Sequence, residues 1–407
     1  MEKQSKRLCA LCCLVYFCSY LTRHNYAVVV AEITAAEGIS KALAGSVVTG
    51  GFIAYGISQL ISGWLGDRLE PWKVVFGGLA MTAVCNLLLP LCPASTVLPA
   101  LIWLINGFAQ AMIWPPMVKI MSSRMDAASY QRSCVQVSIF GSVGTVTLYL
   151  LAPLCIAVLN WKSLFFLCGF IAIGTALLWK KDMKNGPSIL EPVVNRGPLQ
   201  SKERLRIPLG PVTALLLGMG IVTQGVLRDG VTTWMPSLVS ERYGIATDQA
   251  ILTAVLLPVT GIFAIKLVGW LFDRHFATEI PFALMLFCIS EILCLLLAFD
   301  SGHLGAWGSV GVTALVVGSM HGINLLFTCL MPARFKPYGN VAFVTGLINS
   351  LTYVGSALST FGFAAIAEAS GWGMVIRLWC MISAVGAVIC LMTIKPWKHF
   401  IGLKPLQ

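Results

Sequence analysis

Gly63-Trp64-Leu65-Gly66-Asp67-Arg68 occurs a second time as Gly269-Trp270-Leu271-Phe272-Asp273-Arg274, 206 residues further on. Each copy closes a long apolar run. A second pair keeps nearly the same spacing. Arg23 ends Val15-Tyr16-Phe17-Cys18-Ser19-Tyr20-Leu21-Thr22-Arg23, and Arg228 ends Ile221-Val222-Thr223-Gln224-Gly225-Val226-Leu227-Arg228, a shift of 205 residues. Two separate features with almost one shift mark an internal duplication, so the chain reads as two halves of the same make.

The medium of those halves follows from composition. The chain is 57% hydrophobic and 11% charged, where a soluble domain carries roughly 25% charged residues. A helix needs ~20 mostly apolar residues to cross a bilayer. Twelve segments qualify: 8–33, 43–65, 73–92, 97–120, 130–157, 161–180, 209–238, 247–271, 280–298, 305–330, 341–366 and 373–394. The polar stretch 181–208, with Asn185-Gly186-Pro187, Pro192 and Pro198, interrupts the pattern and reads as a linker. Lys3, Lys6 and Arg7 precede the first span, which is too long for a signal peptide and reads as an uncleaved helix.

The net charge of +11 sorts by loop. Most Lys and Arg fall in alternate loops and at both ends, and the opposite loops carry only Lys41, Lys162 and Arg242. That asymmetry puts both termini in the cytoplasm and makes the basic excess a matter of topology and anionic lipid, not of nucleic acid. The expected architecture is an all-α membrane protein. Twelve transmembrane helices form two six-helix bundles, 1–180 and 209–407, joined by a cytoplasmic linker at 181–208 and related by a pseudo-two-fold axis. Parallel repeats of this kind resemble the major facilitator fold. A bacterial plasma membrane is the expected location. The sequence carries no signal for or against oligomers, and a monomer is the working expectation.

The fourteen cysteines lie mostly in apolar segments. Cys9-Ala10-Leu11-Cys12-Cys13 has no His or acid beside it and reads as small apolar filler, so no metal, cofactor or disulfide framework is expected. No Gly-x-x-x-x-Gly-Lys-Ser/Thr motif occurs. With no catalytic constellation either, the chain is not expected to be an enzyme, and its work must draw on a gradient.

The two arginines are the leading site residues. A charge in the bilayer costs ~2.5–3.5 kcal/mol on insertion scales, so an intramembrane Arg is a functional candidate by default. Tyr16, Tyr20 and Arg23 share one helical face, and a guanidinium fork suits phosphate or carboxylate oxygens better than an ammonium does. One small anion held by Arg23 and Arg228 is the simplest reading. Asp229 follows Arg228 but is expected to point elsewhere on the helix. Lys266 and His321 are further candidates within spans, His321 because it titrates near neutral pH.

Several motifs resemble the organophosphate:phosphate antiporters, the family of bacterial glycerol-3-phosphate and hexose-6-phosphate transporters. The residues are Tyr20-Leu21-Thr22-Arg23-His24-Asn25-Tyr26, Ile53-Ala54-Tyr55-Gly56-Ile57-Ser58, Asn106-Gly107-Phe108-Ala109-Gln110 with Trp114-Pro115-Pro116, Leu227-Arg228-Asp229-Gly230 with Trp234-Met235-Pro236, and Thr345-Gly346-Leu347 with Tyr353-Val354-Gly355. The resemblance implies phosphate contacts at Arg23 and Arg228 and pore-lining roles for Tyr16, Tyr20 and Tyr353. It also implies exchange of inorganic phosphate for a phosphate ester by alternating access. The repeated Gly-x-x-x-Asp-Arg resembles the superfamily's gating loops, which gives Asp67, Arg68, Asp273 and Arg274 a gating role, with Arg124 and Arg334 as possible partners. The chain departs from the antiporter pattern at Gln59, where a basic residue is usual, and at Gly141, where a His is usual. Those departures leave the anion and the counter-substrate open. Two alternatives stand beside the exchanger: a transporter-like sensor of a phosphorylated metabolite, and a proton-coupled transporter of another organic anion or compound. The last needs a cavity-facing acid, for which only Glu32 and Asp229 offer themselves, neither well placed along the sequence.

Overall fold

The computed structural model describes residues 3–94, 97–185, 209–244, 256–300 and 303–402. These residues are helical with short connections, and no strand occurs among them. The helices are α1 (Lys3–Val28), α2 (Val30–Glu37), α3 (Lys41–Arg68), α4 (Pro71–Leu88), α5 (Leu98–Ala111), α6 (Trp114–Arg124), α7 (Ala127–Val158) and α8 (Trp161–Asn185). They continue with α9 (Pro211–Tyr243), α10 (Leu256–His275), α11 (Glu279–Ala298), α12 (Gly305–Asn324), α13 (Met331–Ala333), α14 (Val341–Ser370) and α15 (Trp372–Gly402). Eleven membrane-length apolar helices occur among the described residues. α1 is 26 residues long, but Lys3, Lys6, Arg7 and Arg23 dilute its apolar character. Of the linker expected at 181–208, residues 181–185 continue α8 and 186–208 lie outside the described residues, as does the start of the span expected at 247.

Local chemistry explains the helix ends. Ser40 caps α3 by accepting from Leu43 N at 3.2 Å, and Asp126 caps α7 by accepting from Ser129 N at 3.0 Å. Gly38 and Gly244 end α2 and α9 with φ of 64° and 65°, a left-handed turn that suits glycine. The span expected at 97–120 is broken. Pro115 and Pro116 have no N–H to give Ala111 and Met112, so α5 stops at Ala111 and α6 restarts at Trp114. Pro332 marks the tenth span in the same way: a π-helical stretch, Leu325–Leu330, precedes it.

The chain divides into two compact units. Met1–Arg204 and Tyr338–Ser350 form the first, and Leu205–Pro337 with Leu351–Gln407 form the second. In the first unit α1 packs on α7, α3 on α5 and α4 on α8. Its apolar cluster includes Tyr26, Trp103, Trp161 and Phe165, with Tyr26 and Trp103 ring centroids 5.4 Å apart. In the second unit α11 packs on α15, α10 on α12, and α9 on both α12 and α15. Backbones approach closely where glycine permits: Gly107 against Gly51 O in the first unit, Gly225 against Thr352 O in the second. Among the described residues the cysteines form no disulfide.

Candidate functional site

Arg23 sits on α1 in the first unit and is 7% exposed. Its guanidinium lies 4.4 Å from the Tyr20 ring centroid and 4.6 Å from that of Tyr55. Facing two rings stabilises a cation through their quadrupoles. Nε also donates to His24 Nε2 at 3.3 Å. The tyrosine face extends along α1: Tyr16 and Tyr20 meet edge-on at 5.0 Å, Tyr16 meets Trp114 at 4.7 Å, and Tyr20 meets His24 at 5.4 Å. Arg23 borders a small cleft with Phe52, Trp103, Asn106 and Gly107.

A buried amide network fixes the rotation of α1 beneath this face. Ser19 Oγ donates to Gln110 Oε1 at 2.6 Å, and Gln110 Nε2 donates to Thr22 Oγ1 at 2.8 Å. Asn106 Nδ2 donates to Thr22 O at 3.1 Å, and Asn25 Nδ2 donates to Asn86 Oδ1 at 2.7 Å. The Asn106–Gln110 motif therefore ties α5 to the residue before Arg23. In the sequence it was only a point of resemblance; its role as a positioning clamp needed the tertiary contact. Tyr26, three residues past Arg23, joins the core instead of the polar face.

Of the two departures from the antiporter pattern, Gly141 has a local explanation. A Cβ at Gly141 would meet Tyr16 Cε1 and Tyr20 Cε2, each at 2.9 Å, so the tyrosine rings fill the space a larger residue would take. Gln59 is fully buried beside Gly346, and neither of its amide atoms has a hydrogen-bond partner.

Arg228, on α9 in the second unit, is built differently. Nε and Nη2 donate to Asp229 Oδ1 and Oδ2 at 2.6 and 2.7 Å, and Nη1 donates to Asn324 Oδ1 at 2.9 Å. Asp229 also accepts from Ser356 Oγ on α14. This corrects the expectation that Asp229 points away from its neighbour. Backbone vectors one residue apart diverge, but the long arginine side chain folds across the gap and meets the carboxylate edge to edge. Arg228 is therefore neutralised within its own unit. His321 on α12 packs against Gly261 and feels both charges. Tyr353 is half-buried one turn before Ser356 on α14, and Lys266 is exposed on α10.

The repeated motif is half reproduced. Arg68 lies 4.1 Å from the Trp64 ring and Arg274 4.5 Å from the Trp270 ring. The aspartates differ. Asp67 accepts from Phe343 N at 2.7 Å and Ala342 N at 3.3 Å, capping the open N–H groups of α14, and pairs with Lys119 at 3.1 Å. Asp273 is exposed and joins no ion pair among the described residues. The suggested partners bond elsewhere. Arg334 donates to the buried Glu279 at 2.7 Å, and Arg124 donates to Met183 Sδ at 3.4 Å.

The model of the Major Facilitator Superfamily matches residues 12–360. The chain belongs to this superfamily. It is 26% identical to the glycerol-3-phosphate transporter of Bacillus subtilis (strain 168), covering 93% of this chain and 90% of that one. It is 23% identical to a probable hexose phosphate transport protein of Chlamydia muridarum, covering 88% and 84%. Among solved structures, the major facilitator transporter FucP in its outward conformation aligns with a TM-score of 0.72 at 14% identity, over 96% of this chain and 99% of that one. This superfamily member is an integral membrane transporter of a small substrate, and the relatives named above are transporters and not enzymes.

Proposed function

We propose that the protein exchanges a phosphate ester for inorganic phosphate across the bacterial plasma membrane. It works as a monomer with both termini in the cytoplasm. One anion engages Arg23 and Arg228, with Tyr16, Tyr20, Tyr353, His321 and Lys266 as further substrate contacts. The two six-helix halves, 1–180 and 209–407, alternate access, and Asp67, Arg68, Asp273 and Arg274 govern the gate. The observation that carries this reading is Arg23. It is a buried guanidinium held on tyrosine faces at the edge of a cleft, in a chain whose relatives are named for glycerol phosphate and hexose phosphate. Holding a charge this way costs free energy that an anion's oxygens offset.

The test is phosphate exchange by the purified protein in liposomes, beside Arg23→Lys and Arg228→Lys. Saturable uptake that requires internal phosphate and is strongly weakened in both variants is expected. Absence of any phosphate or phosphate-ester flux in folded protein overturns the reading and makes Gln59 and Gly141 the marks of a different anion.

A further inference from the structure

We propose that anion binding at Arg228 is coupled to uptake of one proton by Asp229; this rests on the anion reading above and adds its coupling ion. The argument begins with the fork. A guanidinium grips an oxyanion with two parallel bonds through its Nε–Nη2 edge or its Nη1–Nη2 end; Asp229 occupies the edge at 2.6 and 2.7 Å, and Asn324 takes Nη1 at 2.9 Å. Asp229 cannot swing away freely, because it is adjacent in the chain and held by Ser356 on α14. An incoming anion therefore meets either an occupied fork or a carboxylate of its own sign at van der Waals range.

Protonation removes the conflict. A proton from water adds to an Asp229 carboxylate oxygen, the ion pair with Arg228 is lost, and the neutral carboxyl keeps Ser356 as a partner. The Nε–H and Nη2–H groups then donate to the anion's oxygens, with no other bond made or broken. When the proton leaves, Asp229 reclaims the guanidinium and the anion is released. Proton and anion thus bind as a unit and travel together, whether the cycle completes as exchange or as net flux. By linkage, each favours the other's binding to the same degree.

The other groups facing this pair are few. α12 contributes His321, which senses both charges, and the uncharged Asn324. α14 contributes Ser356 and, one turn earlier, Tyr353. On α10, which meets His321 at Gly261, Lys266, Asp273, Arg274 and His275 are exposed. α15 meets α9 with Ile389 against Gly220, and its Arg377 is exposed. Among the described residues, Asp229 is therefore the acid in direct contact with the binding arginine, and His321 is the one competitor for the proton.

The test uses full-length protein in liposomes. The wild type is compared with Asp229→Asn, which keeps the size and the bond to Ser356, and with His321→Gln. The probes are inorganic phosphate, glycerol-3-phosphate, methanesulfonate and lactate, the last two keeping a fixed charge near neutral pH. In the wild type, the half-saturating anion concentration is expected to rise with pH, approaching about tenfold per unit above the Asp229 pKa. Asp229→Asn is expected to exchange anions but to lose this slope beyond the probe's own titration, and His321→Gln to keep the slope whatever its affinity. Equal pH slopes in wild type and Asp229→Asn overturn the proposal, as does a slope lost only in His321→Gln. Sulfonate or carboxylate flux with an Asp229-dependent slope, and no phosphate flux, overturns the phosphate reading and leaves this one standing. No flux of any probe overturns both.

Discussion

Arg23 and Arg228 stand at matching places in a duplicated sequence, yet the two halves solve the cost of a buried cation by different physics. In the first unit the guanidinium faces the rings of Tyr20 and Tyr55, and an amide network anchors its helix. In the second unit a carboxylate takes the guanidinium edge to edge, with Asn324 on the remaining side. A ring face carries no net charge, whereas Asp229 cancels that of Arg228, so on the proposed reading Arg228 attracts an anion only when Asp229 is displaced or neutralised. A duplicated pair has become one arginine set on rings and one in the grip of a carboxylate.

The comparison breaks most visibly if the arginines are exchanged for a cation without a fork. Arg23→Lys is expected to weaken phosphate exchange by roughly 10- to 100-fold, the equivalent of losing charge-assisted hydrogen bonds of about 1.5–3 kcal/mol. Initial rates across a range of phosphate concentrations read this directly. If Arg23→Lys exchanges as well as the native chain, the Arg23 fork does not bind the anion.

A smaller effect separates the sites by stability. Arg228→Ala strands a partly buried carboxylate and is expected to cost about 1–3 kcal/mol, whereas Arg228→Ala with Asp229→Ala removes both charges and recovers most of it. Thermal unfolding in detergent, followed by tryptophan fluorescence, compares the single and double variants. A double variant no more stable than the single one breaks the ion-pair account. In the first unit, Gln110→Leu removes the bonds to Ser19 and Thr22 and is expected to cost about 1–2 kcal/mol by the same measurement. The smallest effect expected is from Tyr55→Leu, which removes one ring face from Arg23. A cation–π contribution of about 0.5–2 kcal/mol corresponds to a loss in anion affinity of a few-fold to some 30-fold. Tyr55→Phe keeps the face and is expected to bind as the native chain does. A loss in Tyr55→Phe equal to that in Tyr55→Leu would assign the role to the hydroxyl.

Much of the fold was legible because lipid leaves few options. Each apolar run must satisfy its backbone internally and so becomes a helix, and the prolines at 115, 116 and 332 fall where helices break or loosen. The site was legible in its cations, since Arg23 and Arg228 break otherwise apolar runs. The partners of those cations were not. Tyr55 comes from another helix, and Asn106 and Gln110 serve Arg23 only through the backbone of Thr22. Asp229 was misread, because adjacency on a helix fixes where Cβ points and not where a long side chain ends. The two aspartates of the repeat look identical in sequence, yet Asp67 caps a helix and pairs with Lys119 while Asp273 is exposed.

By itself, then, the sequence determined the order of the apolar helices, their apolar character, the duplication and the two arginines within them. All of these are properties of short segments responding to a common solvent. Only the tertiary structure decided that one arginine lies on tyrosine rings and the other meets a carboxylate. That choice depends on which side chains separate helices bring within about 3 Å of a guanidinium, a distance no local pattern encodes.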